Sequence, residues 1–125
     1  MENKKIVLAI DDNPTQLDIF KAILTQKYDL RVVKSASEAM SFLNKMQSDV
    51  ILLDIEMPNI CGFEFLADIR KIPTYMKVPI IIVSGKTGAD FFMQARNSSA
   101  ADVISKPVES EALIKSIEKA LAMAE

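Results

Sequence analysis

The chain contains no histidine. That removes the usual general base, the usual metal ligand and any phosphohistidine chemistry on the chain itself. A metal bound here would have to be held by oxygen, which points to Mg²⁺, Mn²⁺ or Ca²⁺. The single cysteine, Cys61, cannot close an internal disulfide and fits a reducing compartment, where it serves as a small loop hydrophobe. No run approaches the roughly 20 apolar residues that span a bilayer. Lys4 and Lys5 are followed by only five apolar residues, too few for the core of a signal peptide. Positive charge is not in excess: the formal net charge is -2 and the pI about 5.2, which argues against a nucleic-acid binder. The expectation is a cytoplasmic domain with no membrane insertion and no direct nucleic-acid contact.

What the chain does have is a set of short apolar runs, four of which end in reactive polar residues. Ile6-Val7-Leu8-Ala9-Ile10 runs into Asp11-Asp12, and Val50-Ile51-Leu52-Leu53 into Asp54. Ile80-Ile81-Ile82-Val83 ends in Ser84, and Val103-Ile104-Ser105 in Lys106-Pro107. Val- and Ile-rich runs of this length, bounded by turn residues, read as buried parallel strands. At 125 residues and half hydrophobic, the chain fits one domain, residues 1–125; a chain of this size hides roughly two-thirds of its surface on folding.

Helical patterns alternate with the strands. Asn13 is placed to cap a helix with Pro14 in its first turn, and Leu17, Phe20 and Leu24 carry an apolar stripe to about Gln26. Leu30 to Val33 forms a less apolar strand suited to a sheet edge. Ser35 and Glu38 form a capping-box pair that opens a helix through Ala39, Leu43 and Met46. Pro58 and Gly62 mark a shaped loop after Asp54, and a helix with Phe63, Leu66 and Ile69 ends before Pro73. A helix with Phe91, Phe92 and Ala95 follows Gly88, and the last runs from about Glu109 to Ala122 on Leu113, Ile117 and Leu121. Alternation of this kind predicts an α/β fold: a doubly wound five-stranded parallel sheet flanked by five helices, flavodoxin-like. The common strand order, 2-1-3-4-5, puts a switch point between strands 1 and 3, where Asp11, Asp12 and Asp54 lie.

Three carboxylates so close repel one another unless a cation is present. An oxygen-only acidic nest therefore predicts Mg²⁺, with Mn²⁺ as an alternative. Lys106 adds a compact positive charge beyond the nest, and Ser84 a hydroxyl between them. Together they are suited to surround a phosphoryl group, and Asp54 is the natural nucleophile because a carboxylate needs no general base. Taken singly, Asp11 or Asp12 could be a helix cap, Ser84 a turn residue and Lys106 a solvated lysine. Their ordered combination is harder to explain structurally, and an uncompensated charge closing the most apolar strand is costly.

On these residues the chain resembles the receiver domain of two-component response regulators over essentially its whole length. The matching elements are Asp11-Asp12, Asp54 within Leu-Leu-Asp-Ile-Glu-Met-Pro, Gly62 eight residues on, Ser84-Gly85 and Lys106-Pro107. The separations of 30 residues from Asp54 to Ser84 and 22 from Ser84 to Lys106 are typical of it. The resemblance implies that Asp54 accepts a phosphoryl group from the phosphohistidine of a sensor kinase or histidine phosphotransfer protein. It implies that Asp11, Asp12, Asp54 and the backbone carbonyl of Glu56 hold Mg²⁺, and that Ser84 and Lys106 hold phosphoryl oxygens. It also implies a cis Lys106-Pro107 bond, and docking of the donor on helix 1 and the Pro107-Val108 loop. The output is a contact with a downstream protein or a separate output domain, and the only chemistry catalysed is the chain's own phosphorylation and dephosphorylation. The chain is either a stand-alone receiver or the N-terminal piece of a longer protein.

The sequence departs from this family in places. Val103 stands where an aromatic is usual, and the frequent Gly-Ala-Asp before strand 5 reads Ser99-Ala100-Ala101. In the family the ring swings inward as the Ser/Thr moves. A valine lacks that reach, so output is expected through another surface or a static docking face. Glu56 and Lys86, each two residues past a site residue, are expected to pair across the route of the hydrolytic water. Three rival readings compete: an aspartyl-nucleophile phosphatase, a flavin or nucleotide binder, and a receiver-like scaffold not regulated by phosphorylation. The first places its acids as Asp-x-Asp after strand 1, and the second needs a Gly- or Ser/Thr-rich loop there. Asp11-Asp12-Asn13-Pro14 satisfies neither. The scaffold is disfavoured by the intact acceptor, acids and lysine, with Val103 its main support.

Overall fold

A computed structural model describes residues 3–124. The strands are β1 (Ile6–Ile10), β2 (Asp29–Val33), β3 (Val50–Asp54), β4 (Ile80–Ser84) and β5 (Asp102–Ser105). The helices are α1 (Pro14–Leu24), α2 (Ala36–Lys45), α3 (Gly62–Arg70), α4 (Ala89–Asn97) and α5 (Ser110–Ala124), with a 3₁₀ turn at Pro73–Tyr75. The strands pair in parallel in the order β2-β1-β3-β4-β5, as the sequence predicts.

Successive strand residues point to opposite faces, so each buried run feeds two cores. Leu8, Ile10, Ile51, Leu53, Ile80 and Ile82 pack with α2, α3 and α4. Val7, Ala9, Val50, Leu52, Ile81 and Val83 pack with α1 and α5. Every residue of β3 and β4 is buried, whereas β2 is half-buried throughout, as an edge strand of a covered sheet must be. Burying an aliphatic side chain of this size stabilises by about 1.5–3 kcal/mol, so β3 and β4 are the strands that hold the sheet in register.

Local chemistry sets the helix ends. Asn13 accepts a hydrogen bond from the Thr15 N–H at 2.9 Å, capping α1 with Pro14 just inside. α1 stops at Leu24 rather than near Gln26, because the Leu24 carbonyl accepts from both Lys27 and Tyr28 and turns the chain. Ser35 caps α2 through the Glu38 N–H, but the Glu38 carboxylate returns to the Lys34 N–H, one residue earlier than in a regular capping box. α5 begins at Ser110 and runs on to Ala124; Leu121 is only half-buried, and Ala120 takes the inward position instead. The positive φ in the loop after β3 belongs to Asn59 (66°), not to a glycine. Gly62 is the first residue of α3, and its role is steric: a Cβ there would lie 2.5 Å from Ile55 Cγ1 and 2.7 Å from Ile55 Cα.

Two polar anchors were not evident in the sequence. Tyr75 is fully buried; its hydroxyl donates to the Met46 carbonyl (2.6 Å) and accepts from the Ser48 N–H (2.9 Å), tying the end of α2 to the start of β3. Arg70, at the end of α3, donates to the carbonyls of Tyr75 (2.9 Å), Val78 (2.5 Å) and Ser99 (2.8 Å) and to Ser99 Oγ (2.8 Å). The Ser99-Ala100-Ala101 stretch is thus fastened to α3 by a guanidinium fork. Arg70→Ala should lower the unfolding free energy by roughly 2–3 kcal/mol, because it strips several acceptors at once. Arg70→Lys should recover only part of this, since a single ammonium cannot replace the fork. The urea midpoint, at an unchanged slope, is the measurement.

Candidate functional site

Sheet register brings the predicted residues together. Ile10 is paired with Leu53 across β1 and β3, so the next residues, Asp11 and Asp54, meet at the carboxyl edge. Asp54 pairs with Val83, which sets Ser84 one step further out; Ser84 pairs with Ser105, and Lys106 follows, its N–H donating to the Ser84 carbonyl at 2.9 Å. Ligand oxygens of Asp11, Asp12 and Asp54 all lie within 4.8 Å of one another. Asp11 and Asp54 are buried and Asp12 is exposed. Lys106 Nζ reaches in to 3.5 Å from Asp11 Oδ2 and 3.5 Å from Asp54 Oδ1. The Lys106-Pro107 bond is cis, as the resemblance implies.

Charge is under-compensated here. Asp11 Oδ1 accepts from the Asn13 N–H (2.9 Å), but Oδ2 is buried without a hydrogen-bond donor. Burial chiefly pushes the Asp11 carboxyl up to about 6, with Asp54 adding to it and the Asn13 N–H and Lys106 opposing it. Asp54 Oδ1 accepts from the Glu56 N–H at 2.9 Å, which holds the Glu56 backbone beside the acceptor oxygen. One ammonium stands against three carboxylates, and one buried oxygen lacks a donor. That donor set fits a hard divalent cation, and the absence of nitrogen and sulfur ligands favours Mg²⁺ or Mn²⁺.

Ser84 is near the cluster, yet its hydroxyl is engaged elsewhere. It donates to Glu56 Oε1 at 2.5 Å and accepts from the Lys86 N–H at 3.0 Å, while the Gly85 N–H donates to the same Glu56 oxygen at 2.6 Å. These contacts hold the Glu56 carboxyl below its usual range, the Ser84 hydrogen bond contributing most and partial burial opposing. The expected Glu56–Lys86 ion pair is therefore corrected. Among the described residues Glu56 is bound by the hydroxyl and amide of the β4–α4 loop, and the Lys86 side chain forms no ion pair. Two residues of spacing placed Glu56 at the right loop, but only the fold reveals that the nearer donors win over an exposed lysine. Val103 is half-buried against the α2–α4 core.

The raised Asp11 pKa has a definite stability consequence. The folded chain binds this proton more tightly than the unfolded chain, so ionised Asp11 costs stability above about pH 6. The cost fades as pH falls from there toward the unfolded value near 4. In the absence of divalent cations, Asp11→Asn should therefore stabilise the protein by roughly 1–3 kcal/mol at pH 7.5. The gain should shrink steadily between pH 6 and pH 4. Thermal unfolding in chelator across this range checks both sign and window.

The model of the response regulator receiver domain family matches residues 7–118. Protein PilH of Pseudomonas aeruginosa is 30% identical over 118 residues, covering 93% of this chain and 97% of that protein. A protein-glutamate methylesterase/protein-glutamine glutaminase of Agrobacterium fabrum is 37% identical over 111 residues, covering 85% of this chain but 31% of its relative. The chain thus spans about a third of the length of the methylesterases it matches. Among solved structures, a CheY-like receiver domain protein from Methanospirillum hungatei superposes with TM-score 0.88 at 26% identity, over 98% of this chain and 97% of the other. The chemotaxis protein CheY4 of Vibrio cholerae gives 0.88 at 27% identity, over 94% and 99%. Strand order, acidic cluster and family match agree: the chain belongs to the response regulator receiver domain family, the phospho-acceptor signalling module of two-component systems.

Proposed function

We propose that residues 1–125 act as one receiver domain in which Asp54 is the phospho-acceptor. The observation that carries this reading is the convergence of Asp11, Asp12 and Asp54 within 4.8 Å, with Lys106 Nζ 3.5 Å from both buried carboxylates. Asp11, Asp12, Asp54 and the Glu56 backbone carbonyl would hold Mg²⁺, or Mn²⁺ in its place. Such an ion, when bound, neutralises charge on the acids and on an incoming phosphoryl group. Asp54 Oδ1 is engaged by Lys106 and the Glu56 N–H, and Oδ2 receives no hydrogen bond among the described residues; Oδ2 is the attacking oxygen. As its bond to phosphorus forms, the P–N bond of the donor phosphohistidine breaks and the electron pair leaves with the imidazole. Lys106 then neutralises one phosphoryl oxygen and Ser84 donates to another.

The donor is a sensor histidine kinase or a histidine phosphotransfer protein, met by the exposed part of α1 and the Pro107-Val108 loop. The readout is a contact with a downstream protein or a separate output domain, and the compartment is the cytoplasm. No helix among the described residues is long and apolar enough to cross a membrane. Neither a phosphatase nor an unphosphorylated scaffold gains from the geometry: the buried carboxylate Asp54 closes β3, not β1, and Asp11, Asp12 and Lys106 lie around it.

With Val103 on β5 there is no ring to swing, so the phosphoryl signal is confined to the loops that touch it and leaves by the surface near those loops.

Two measurements test this. Incubation with acetyl phosphate and Mg²⁺ should give a single phosphoryl adduct by intact mass, absent when Mg²⁺ is chelated and absent in Asp54→Ala. An adduct that survives Asp54→Ala overturns the assignment. Amide chemical shifts with beryllofluoride should change mainly in residues 55–61 and 84–88; large changes throughout β4, α4, β5 and α5 would refute the confined readout.

A further inference from the structure

Glu56 holds Ser84 in a state that cannot serve a phosphoryl group. A serine hydroxyl has one proton to donate, and here it is given to Glu56 Oε1 at 2.5 Å. The Ser84 oxygen is oriented by the Lys86 N–H at 3.0 Å, so the proton has no second acceptor to serve at the same time. The neighbouring Gly85 N–H, an exposed loop donor, is spent on the same carboxylate oxygen at 2.6 Å. A phosphoryl oxygen, like a carboxylate, is an anionic acceptor of charge-assisted hydrogen bonds and would compete for both donors. Glu56 is also anchored beside the acceptor, its own N–H donating to Asp54 Oδ1 at 2.9 Å. Its carboxylate therefore sits on a short tether between Asp54 and Ser84. No backbone strain or cavity stands in the way of its release: Gly85 is open, with Glu56 Oε1 the nearest atom to where a Cβ would stand, at 3.7 Å.

We infer that the Glu56 side chain is a displaceable latch on the phosphoryl pocket, a positioning residue that holds the Ser84 hydroxyl and Gly85 amide in the unphosphorylated chain and must yield them when Asp54 is modified. This rests on the reading of Asp54 as the acceptor. Glu56 then sets the affinity of the pocket for a phosphoryl group, and on dephosphorylation it returns to Ser84.

The test is calorimetric titration with beryllofluoride, a phosphoryl stand-in, in the presence of Mg²⁺. Glu56→Asp keeps the charge but loses one methylene of reach, so it should free Ser84 and bind the probe about tenfold more tightly than the wild type. In a Ser84→Ala background the same substitution should gain no more than about threefold, since one of the two contested donors is gone. Glu56→Asp binding as the wild type does, with Glu56→Gln alone binding more tightly, would reduce the effect to charge repulsion and overturn the latch. An undiminished gain in the Ser84→Ala background would overturn it equally. The acceptor reading fails separately, and the latch with it, if the wild type does not bind the probe or if Asp54→Asn binds it as well. Binding abolished by Asp54→Asn but indifferent to Glu56→Asp refutes the latch alone.

Discussion

Two buried carboxylates forced side by side are the constraint on which this molecule turns. Asp11 and Asp54 are adjacent because β1 and β3 are adjacent, and neither can retreat without breaking the register of the two cores. Like charges at this separation repel one another and oppose folding. Lys106, equidistant at 3.5 Å, relieves part of the repulsion and is itself held only because β5 pairs with β4. The sheet thus carries an excess of negative charge at its edge, which suits it to a divalent cation rather than to a bare anion. The apolar content of β1 and β3 answers the same constraint: a strand that runs into a buried carboxylate must be secured by the residues before it.

Much of this was legible in the sequence because buried parallel strands advertise themselves. Five short Val/Ile/Leu runs separated by helical stripes leave little choice of architecture, and a polar residue that abruptly closes such a run is conspicuous. Asp11, Asp54, Ser84 and Lys106 could each be assigned to a strand end before any contact was known. The strand order was the one assumption required, and the register then did the rest.

What stayed hidden depends on contacts between loops, which carry no periodicity. Arg70 reads as an ordinary helix-ending cation, yet it holds three carbonyls from two separate segments. Gly62 reads as a turn glycine, yet it is there because Ile55 presses on the start of α3. Tyr75 lies in a stretch whose Pro73 suggested only a helix stop. Sequence spacing puts Glu56 near the site but does not select its partner. Opposite charge suggested Lys86, whereas a fixed hydroxyl and amide within reach outcompete a flexible exposed ammonium, whose pairing is worth little in water.

The competition at Ser84 explains how a site with no aromatic relay can still be a switch. A phosphoryl group brings about -1.5 to -2 charges and three acceptor oxygens, against the single charge and shared oxygen of Glu56. Once joined to Asp54 it is also held at the pocket, so its claim on the Ser84 proton is intramolecular. The exchange therefore runs one way while the acyl phosphate lasts and reverses when it is hydrolysed. Each exchange moves a carboxylate out of, or back into, the gap between the β3–α3 and β4–α4 loops. Those loops lead directly into Phe63 on α3 and Phe91 on α4, whose rings pack at 6.1 Å. A change of one hydrogen-bond acceptor at the sheet edge thus acts on the two loops that border these helices and requires no rearrangement of β5.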